Sequence, residues 1–395
     1  MDKLIVTRWR GKVCTAVLTE GKISRIMLEP ETEASLLNNI YIGKVQKIVG
    51  NINAAFIDIG KGWTGYYSLE ENKSHIYVSA PGKKLKAGDE IVVQVSREGV
   101  KTKAPVLTGK LSFTGRYLVL TAGKTGIGFS SKINHSGYKP KTRKLLEEAL
   151  GTSKEFLGVI VRTNGPEASK ERLLQELETL KAQYEKLLAD ASCRTCYSCL
   201  YQSPPAYVSA IRDAYGNSLQ ELVTDVDIYH EQLERYLRQR PQEGDYRLTF
   251  YEDKLLPLEK LYSLDSVMEK ALGKNVWLKS GGYLVIEPTE AMVVIDVNTG
   301  KYSGNKKLQD TIFKINMEAA GEIARQLQLR NLSGIIIIDF IDMEREEDRE
   351  QLLRYLREIV SKDPVKTTVV DMTRLNLVEL TRKKVRKPLY EQVLE

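Results

Sequence analysis

Two apolar runs, V293-V-I-D-V-N-T-G300 and G334-I-I-I-I-D-F-I-D-M343, each end a strand-like segment on an aspartate, Asp296 and Asp339. Between them, from Lys307 to Leu329, and again from Glu346 to Val360, the apolar residues recur at helical spacing. Strand, helix, strand, helix is the α/β signature, so the section from about Lys274 is constrained to a sheet with helices packed on it. An acid at the end of a buried strand is costly unless a counter-charge offsets it, and a divalent metal ion is a common one. Two such strands in one domain suggest two carboxylates converging on one Mg2+, the equipment of phosphodiester chemistry. On these residues alone the other reading stays open, in which either aspartate caps a helix or pairs with a lysine.

The remainder of the chain bears on which phosphodiester. With 395 residues and 42% apolar content, two to four domains with sizeable cores are expected. The net charge of +7 leans toward a polyanionic partner and becomes informative where it clusters: Lys44 and Lys47, Lys83 to Lys86, Lys101 to Lys110, and T381-R-K-K-V-R-K-P388. Each of these runs taken singly also fits a solvated face. No stretch approaches the length of a membrane span, and the opening M-D-K-L-I-V-T-R-W-R shows no secretory signal, so a cytoplasmic location is expected.

From Asn39 the chain reads as short strands with Gly and Asn turns, and a further strand, E90-I-V-V-Q-V-S96, follows a lysine-rich loop. This is the pattern of a five-stranded oligonucleotide-binding barrel. Phe56, Trp63, Tyr66 and Tyr67 fall among lysines, which suits stacking of bases over a basic groove, while some of these rings must fill the barrel core. Strands are expected near Y117-L-V-L-T and G158-V-I-V-R-T-N-G165, then a charged helix from about Ser169 to Ala191, then a helix at V208-S-A-I-R-D-A-Y215 and a strand at E221-L-V-T-D225.

At four places the chain resembles the ribonuclease E/G family: T289-E-A-M-V-V-I-D-V-N298, N316-M-E-A-A-G-E-I-A-R-Q-L-Q-L-R-N-L-S-G334, I338-D-F-I-D-M343 and R382-K-K-V-R-K-P-L-Y-E-Q-V-L394. The resemblance implies an α/β multidomain fold: an RNase H-like subdomain from residues 1–36 and 204–273, an inserted S1 (OB-fold) domain at 37–114, a 5' sensor at 115–203, and a DNase I-like catalytic subdomain at 274–395. It further implies a Mg2+-dependent endoribonuclease acting on single-stranded A/U-rich RNA, leaving 5' phosphate and 3' hydroxyl ends and stimulated by a 5' monophosphate. Asp296 and Asp339 match the family's metal-binding aspartates, Asn298 the asparagine that orients one of them, and Arg374 an arginine near the scissile phosphate. Arg162 and Thr163 match the residues that hold the terminal phosphate, with Lys132 as a helper in a stretch, G128-F-S-S-K-I133, that departs from the family's arginine-rich pattern. Phe56, Tyr66 and Lys103 match positions that grip single-stranded RNA; Tyr66 stands where phenylalanine is frequent and keeps the stacking face.

The cysteines depart most from the family, whose members carry a C-P-x-C motif just beyond the L-Y-E-Q-V-L-E segment, where two protomers share a zinc. This sequence stops at Glu395, so the familiar zinc-linked dimer is not expected, although a homodimer or higher homo-oligomer is. Cys193, Cys196 and Cys199 have metal-like spacing and are candidate Zn2+ ligands, with Cys14 or a partner chain supplying a fourth. Zinc is preferred over an iron-sulfur cluster because Ser203 stands at the fourth cysteine position, and ordinary reduced thiols are the plain alternative. His75, His135 and His230 do not gather in the sequence, against a histidine-pair mechanism. The rival to catalysis is an RNA-binding regulator that has lost turnover, which the intact Asp296, Asn298 and Asp339 oppose.

Overall fold

The structure, a computed structural model, describes residues 2–31, 35–79, 84–99, 104–133, 137–214, 219–240, 246–300 and 308–394. The fold is mixed α/β, divided into two compact units. One comprises Met1–Glu33, Gln220–Gln239 and Tyr246–Glu395, the other Ala34–Leu219 and Arg240–Asp245.

The first unit holds two sheets. In the five-stranded one, Asp2–Trp9, Lys12–Thr19 and Lys22–Pro30 form a meander. Its tight turns are Arg10-Gly11 and Glu20-Gly21, all four residues at positive φ, the backbone that a two-residue hairpin of matching twist demands. Leu219–Thr224 adds beside Asp2–Trp9, so segments more than 200 positions apart share one sheet. Its core joins Ile5, Trp9, Ala16 and Ile26 to Leu264 and Met268 of the helix Leu264–Leu272.

The six-stranded sheet runs in the order Asn275–Trp277, Tyr283–Pro288, Met292–Asn298, Gly334–Asp339, Leu377–Arg382, Thr367–Met372. Met292–Asn298 and Gly334–Asp339 are parallel, as their connection through the helix Leu308–Leu329 requires. That helix buries Ile312, Ile315, Ala319, Ala320, Ile323 and Leu327, one stripe at helical spacing, and the helix Glu346–Ser361 adds Leu352, Leu356 and Val360. Both pack on the same sheet core through Val293, Ile295, Val297, Ile336 and Ile338. Glu346, Glu347 and Asp348 occupy the first turn of the second helix, where acids complement the exposed N–H groups.

In the second unit, Ile40–Val49, Ala54–Asp58, Thr64–Ser68, Val106–Thr108 and Glu90–Arg97 form a barrel, closed by pairing of the last with the first. Closure removes the sheet edges. Val45, Ala55, Ile57, Tyr67, Ile91, Val93 and Leu107 fill the interior. At Gly65 a Cβ would lie 2.4 Å from Leu107, so a glycine there is what lets the interior close. Of the sequence's candidate stacking rings, Tyr67 is therefore core. Ser112–Thr114, Leu118–Ala122, Leu157–Val161 and Gly126–Phe129 make a separate four-stranded sheet, packed by the helices Tyr138–Leu150 and Lys170–Cys193. Ser169 caps the second of these, its hydroxyl accepting from Arg172 N. Among the described residues no helix is long and apolar enough to cross a membrane.

Candidate active site

Alternation along the strand Met292–Asn298 sends Val293, Ile295 and Val297 into the helix-covered core and Met292, Val294, Asp296 and Asn298 to the opposite face. In Gly334–Asp339 the same alternation buries Ile336 and Ile338 and leaves Ile335, Ile337 and Asp339 on that opposite face. Because the strands run parallel in this register, Asp296 stands directly beside Asp339. Neighbouring strands lie about 4.8 Å apart, so two carboxylates share one patch of surface. Asp296 is not the last residue of its strand, as the sequence pattern implied: the ladder with Tyr283–Pro288 continues to Asn298, which pairs with Tyr283. That extension holds Asn298 on the same face, where its Nδ2 donates to Asp296 Oδ2 at 2.8 Å.

Burial raises the Asp339 carboxyl above its ordinary range, and the neighbouring Asp296 and Asp342 push in the same direction. Asp342 lies in the loop that follows Asp339. Phe340 and Met343 anchor this loop in the core, and Asn316, fully buried on the helix Leu308–Leu329, binds its middle. Asn316 Nδ2 donates to Ile341 O at 2.8 Å, and Ile341 N donates to Asn316 Oδ1 at 3.1 Å. From the other side Asn376, at φ 61°, donates through Nδ2 to Asp342 Oδ1 at 3.1 Å. Asn376 lies in the turn between Thr367–Met372 and Leu377–Arg382, and Leu377 is the register partner of Asp339. Arg374 sits exposed in that turn, so the fold brings it to the same end of the sheet as the aspartates.

Neither Asn316 nor Asn376 was singled out from the sequence. A signal existed for Asn316: an amide inside an apolar helical stripe must find partners. Truncating it to alanine orphans the Ile341 N–H and C=O and loosens the loop between Asp339 and Asp342. Asn316→Ala is therefore expected to lower kcat about 10- to 100-fold with little change in KM, the effect usual for groups that orient metal-binding residues. Unchanged kcat in steady-state kinetics would remove it from the site.

The donor set suits a hard cation. Carboxylate oxygens crowded against their own repulsion on an exposed face favour a divalent ion, and Mg2+ needs only one or two protein carboxylates because it keeps most of its waters. Among the described residues no group of three His, Cys, Asp or Glu side chains is placed to hold a metal. Cys193 closes a helix, Cys199 lies in the strand Cys199–Tyr201 opposite Tyr41, and Cys196 falls on the turn between them. Cys14 is wholly buried in the first unit's core, and burial pushes its thiol up to about 12.

On the barrel, Phe56 and Tyr66 are register partners on the outer face, their rings 6.2 Å apart and edge to face. Lys47 holds its ammonium 5.0 Å from the Phe56 ring. Lys103 and His135 lie outside the described residues. In the four-stranded sheet, Arg162 and Thr163 follow the strand Leu157–Val161, and the loop after Gly126–Phe129 meets them: Ser130 N donates to Val161 O, and the Ser130 and Thr163 hydroxyls are 3.0 Å apart. Lys132, exposed, belongs to this loop through its N–H to Ser130 Oγ. Arg162 donates to Gly115 O at 2.5 Å and to Asp213 Oδ1 at 2.7 Å, and Arg212 grips both oxygens of the same carboxylate. Burial opposes the charge on Asp213, but the Arg212 and Arg162 guanidiniums outweigh it and hold the carboxyl below its usual range. Asp213 is thus the counter-ion that aims Arg162.

Residues 112–385 match the Ribonuclease E/G family. Ribonuclease G of Haemophilus influenzae is 35% identical over 390 residues, spanning 96% of this chain and 78% of that protein. Ribonuclease G of Escherichia coli is 32% identical over 403 residues, spanning 99% and 81%. Ribonuclease E of Synechocystis is 33% identical over 399 residues, spanning 99% of this chain and 58% of that protein.

Proposed function

This chain belongs to the ribonuclease E/G family and is an endoribonuclease, and from that premise we propose that it cleaves single-stranded, A/U-rich RNA with Mg2+ held by Asp296 and Asp339. One observation carries the reading: the parallel register that sets these two carboxylates side by side on an exposed sheet face. A bound Mg2+ supplies Lewis-acid stabilisation of the phosphoryl and leaving oxygens. The chain's own residues do the positioning. Asn298 fixes the Asp296 carboxylate, Asn316 and Asn376 hold the loop from Asp339 to Asp342, and Arg374 offers a guanidinium to the scissile phosphate from the adjoining turn. Attack by water in line leaves 5' phosphate and 3' hydroxyl ends, with no covalent enzyme intermediate, in the service of RNA processing and decay.

The closed barrel supports assignment of residues 37–114 as an S1 domain whose Phe56, Tyr66 and Lys103 hold the RNA strand. We assign residues 1–36 and 204–273 to an RNase H-like subdomain, since both contribute strands to one sheet, and 274–395 to a DNase I-like catalytic subdomain. Residues 115–203 form the 5' sensor. There the Arg162 fork, aimed by Asp213, and the Thr163 hydroxyl, with Lys132 close by, make a clamp for a terminal phosphate.

The test compares one single-stranded oligonucleotide bearing a 5' monophosphate, a 5' triphosphate or a 5' hydroxyl, with Mg2+ and in EDTA. Cleavage is expected only with Mg2+ and fastest on the monophosphate. Arg162→Ala should bring the three ends to one rate. Equal rates in the unsubstituted protein would remove the sensor, and undiminished cleavage in EDTA would remove the metal.

A further inference from the structure

Tyr197 is the one aromatic residue among the described non-glycine residues at positive φ, at 70°. L side chains enter this left-handed region at a cost, and a bulky residue is kept there only when its surroundings hold it. The surroundings are on the barrel. Tyr197 N donates to Ile42 O at 2.9 Å, Ile42 N donates to Ser198 O at 3.0 Å, and Cys199 pairs with Tyr41, so the segment is strapped along the strand Ile40–Val49. The strap sets the tyrosine over Gly60, itself at φ 87°, so closely that a Cβ on Gly60 would lie 2.8 Å from Tyr197 Cβ. Yet the residue stays 43% exposed, and Trp63, which closes the Gly60 turn through its N–H to Gly60 O, stays 44% exposed. Two large rings are thus held open to solvent on one barrel turn, one of them in a strained backbone.

Their place on the barrel says what they face. Phe56 and Asp58 share the outer face of the strand Ala54–Asp58, and Gly60 follows two residues on. The row therefore leads from Tyr66 and Phe56 past Asp58 to Tyr197 and Trp63. Lysines flank it: Lys47 and Lys44 are the register partners of Phe56 and Asp58, and Lys61 is exposed in the turn. Asp58 is the carboxylate within the row, and Glu90, the register partner of Lys44 on the strand Glu90–Arg97, adds a second beside it. Asp58 accepts from Gly60 N at 2.8 Å and from Gln46 Nε2 at 3.3 Å and has Lys44 beside it.

We propose that Tyr197, with Trp63 on the Gly60 turn, is a second base-stacking position for single-stranded RNA, continuing the Phe56 and Tyr66 platform beyond the barrel strands. The proposal rests on the S1 reading of the barrel. Its occupant follows from charge and continuity: aromatic faces spaced along a lysine-flanked row fit unpaired bases on a phosphate backbone. The cysteine-bearing segment then acquires a role without metal, as the strap that delivers Tyr197.

The test is fluorescence anisotropy in EDTA with a labelled 5'-hydroxyl A/U oligonucleotide of about ten nucleotides, within the site size of one such barrel. Tyr197→Gly suits the left-handed backbone, so its melting temperature is expected to be unchanged or higher. Its RNA affinity is expected to fall about tenfold, the scale of one lost stacking contact, and Tyr197→Trp is expected to restore it. A structural role for the ring would instead lower the melting temperature and spare binding. If Phe56→Ala weakens binding while Tyr197→Gly does not, the proposal is overturned and the barrel reading stands. If Phe56→Ala has no effect either, RNA does not cross this face and both fall.

Discussion

Replacing Asp296 by Asn is expected to lower RNA cleavage by at least about 10³-fold, with RNA binding in EDTA intact. The amide keeps the shape of the side chain and can still contact Asn298, but it removes one of the two charges that the strand register places together. Persistence of full cleavage in single-turnover assays would sink the assignment of the site. A second readout does not depend on activity. Asp339 is raised first by burial and then by Asp296 and Asp342, so in the metal-free Asp296→Asn protein its carboxyl should titrate at lower pH than in the unsubstituted chain. Carbon-13 detected NMR of the side chain measures this directly.

The sign of the accompanying stability effect follows from the same crowding. The folded chain holds the Asp339 proton more tightly than the unfolded chain does, so metal-free stability from this group rises as pH falls through its raised folded pKa, and the repulsion is felt in full above it. Asp339→Asn removes the repulsion. The variant should be catalytically dead yet melt at a higher temperature near neutral pH without metal, the trade expected where function requires like charges to be held together. A lower melting temperature would mean that Asp339 serves the fold.

Asp363→Ala is expected to destabilise the protein by about 3 to 5 kcal/mol, because it strands a buried guanidinium. Arg382 and Asp363 side chains are only 4% and 3% exposed, with Arg382 Nε 2.7 Å from Asp363 Oδ2. The pair ties Leu377–Arg382 to the loop after Glu346–Ser361, since Asp363 also accepts from Val365 N and Thr367 Oγ1 while Arg382 donates to Asn331 Oδ1 and Leu332 O. Urea unfolding checks the single variant. The double variant Asp363→Ala, Arg382→Met should recover part of the loss, since no unpaired charge then stays buried; no recovery would show that the backbone contacts, not the ion pair, carry the effect.

This pair also shows where local reading of the sequence stops. The run T381-R-K-K-V-R-K-P388 reads as one basic cluster, but Arg382 is consumed inside the fold and Arg386 pairs with Glu29 at 3.1 Å. Charge composition counts such residues equally, whereas burial separates them. Tyr67 and Cys14 were sorted in the same way: each has a chemistry suggestive of a site, and each is core. The triplet Cys193, Cys196, Cys199 has a ligand's spacing, and the fold distributes it over a helix end, a turn and a strand.

What was legible in the linear chain follows from short-range periodicity. The period of two along residues 292–298 and 334–339, and the helical period between them, specify strands, helix and therefore an α/β layer, and they place Asp296 and Asn298 on one face before any partner is known. The pairing of Asp296 with Asp339 is of another kind. It depends on the register between two strands 43 positions apart, which the hydrophobic faces and the crossover helix select together. The grip of Asn316 on Ile341, of Asn376 on Asp342, and of the strap that lifts Tyr197 over Gly60 likewise arise only after packing, because each satisfies backbone or side-chain groups that distant segments bring to the same place. Periodicity chose the strands and the faces; long-range register and the need to pair buried polar groups chose which side chains meet.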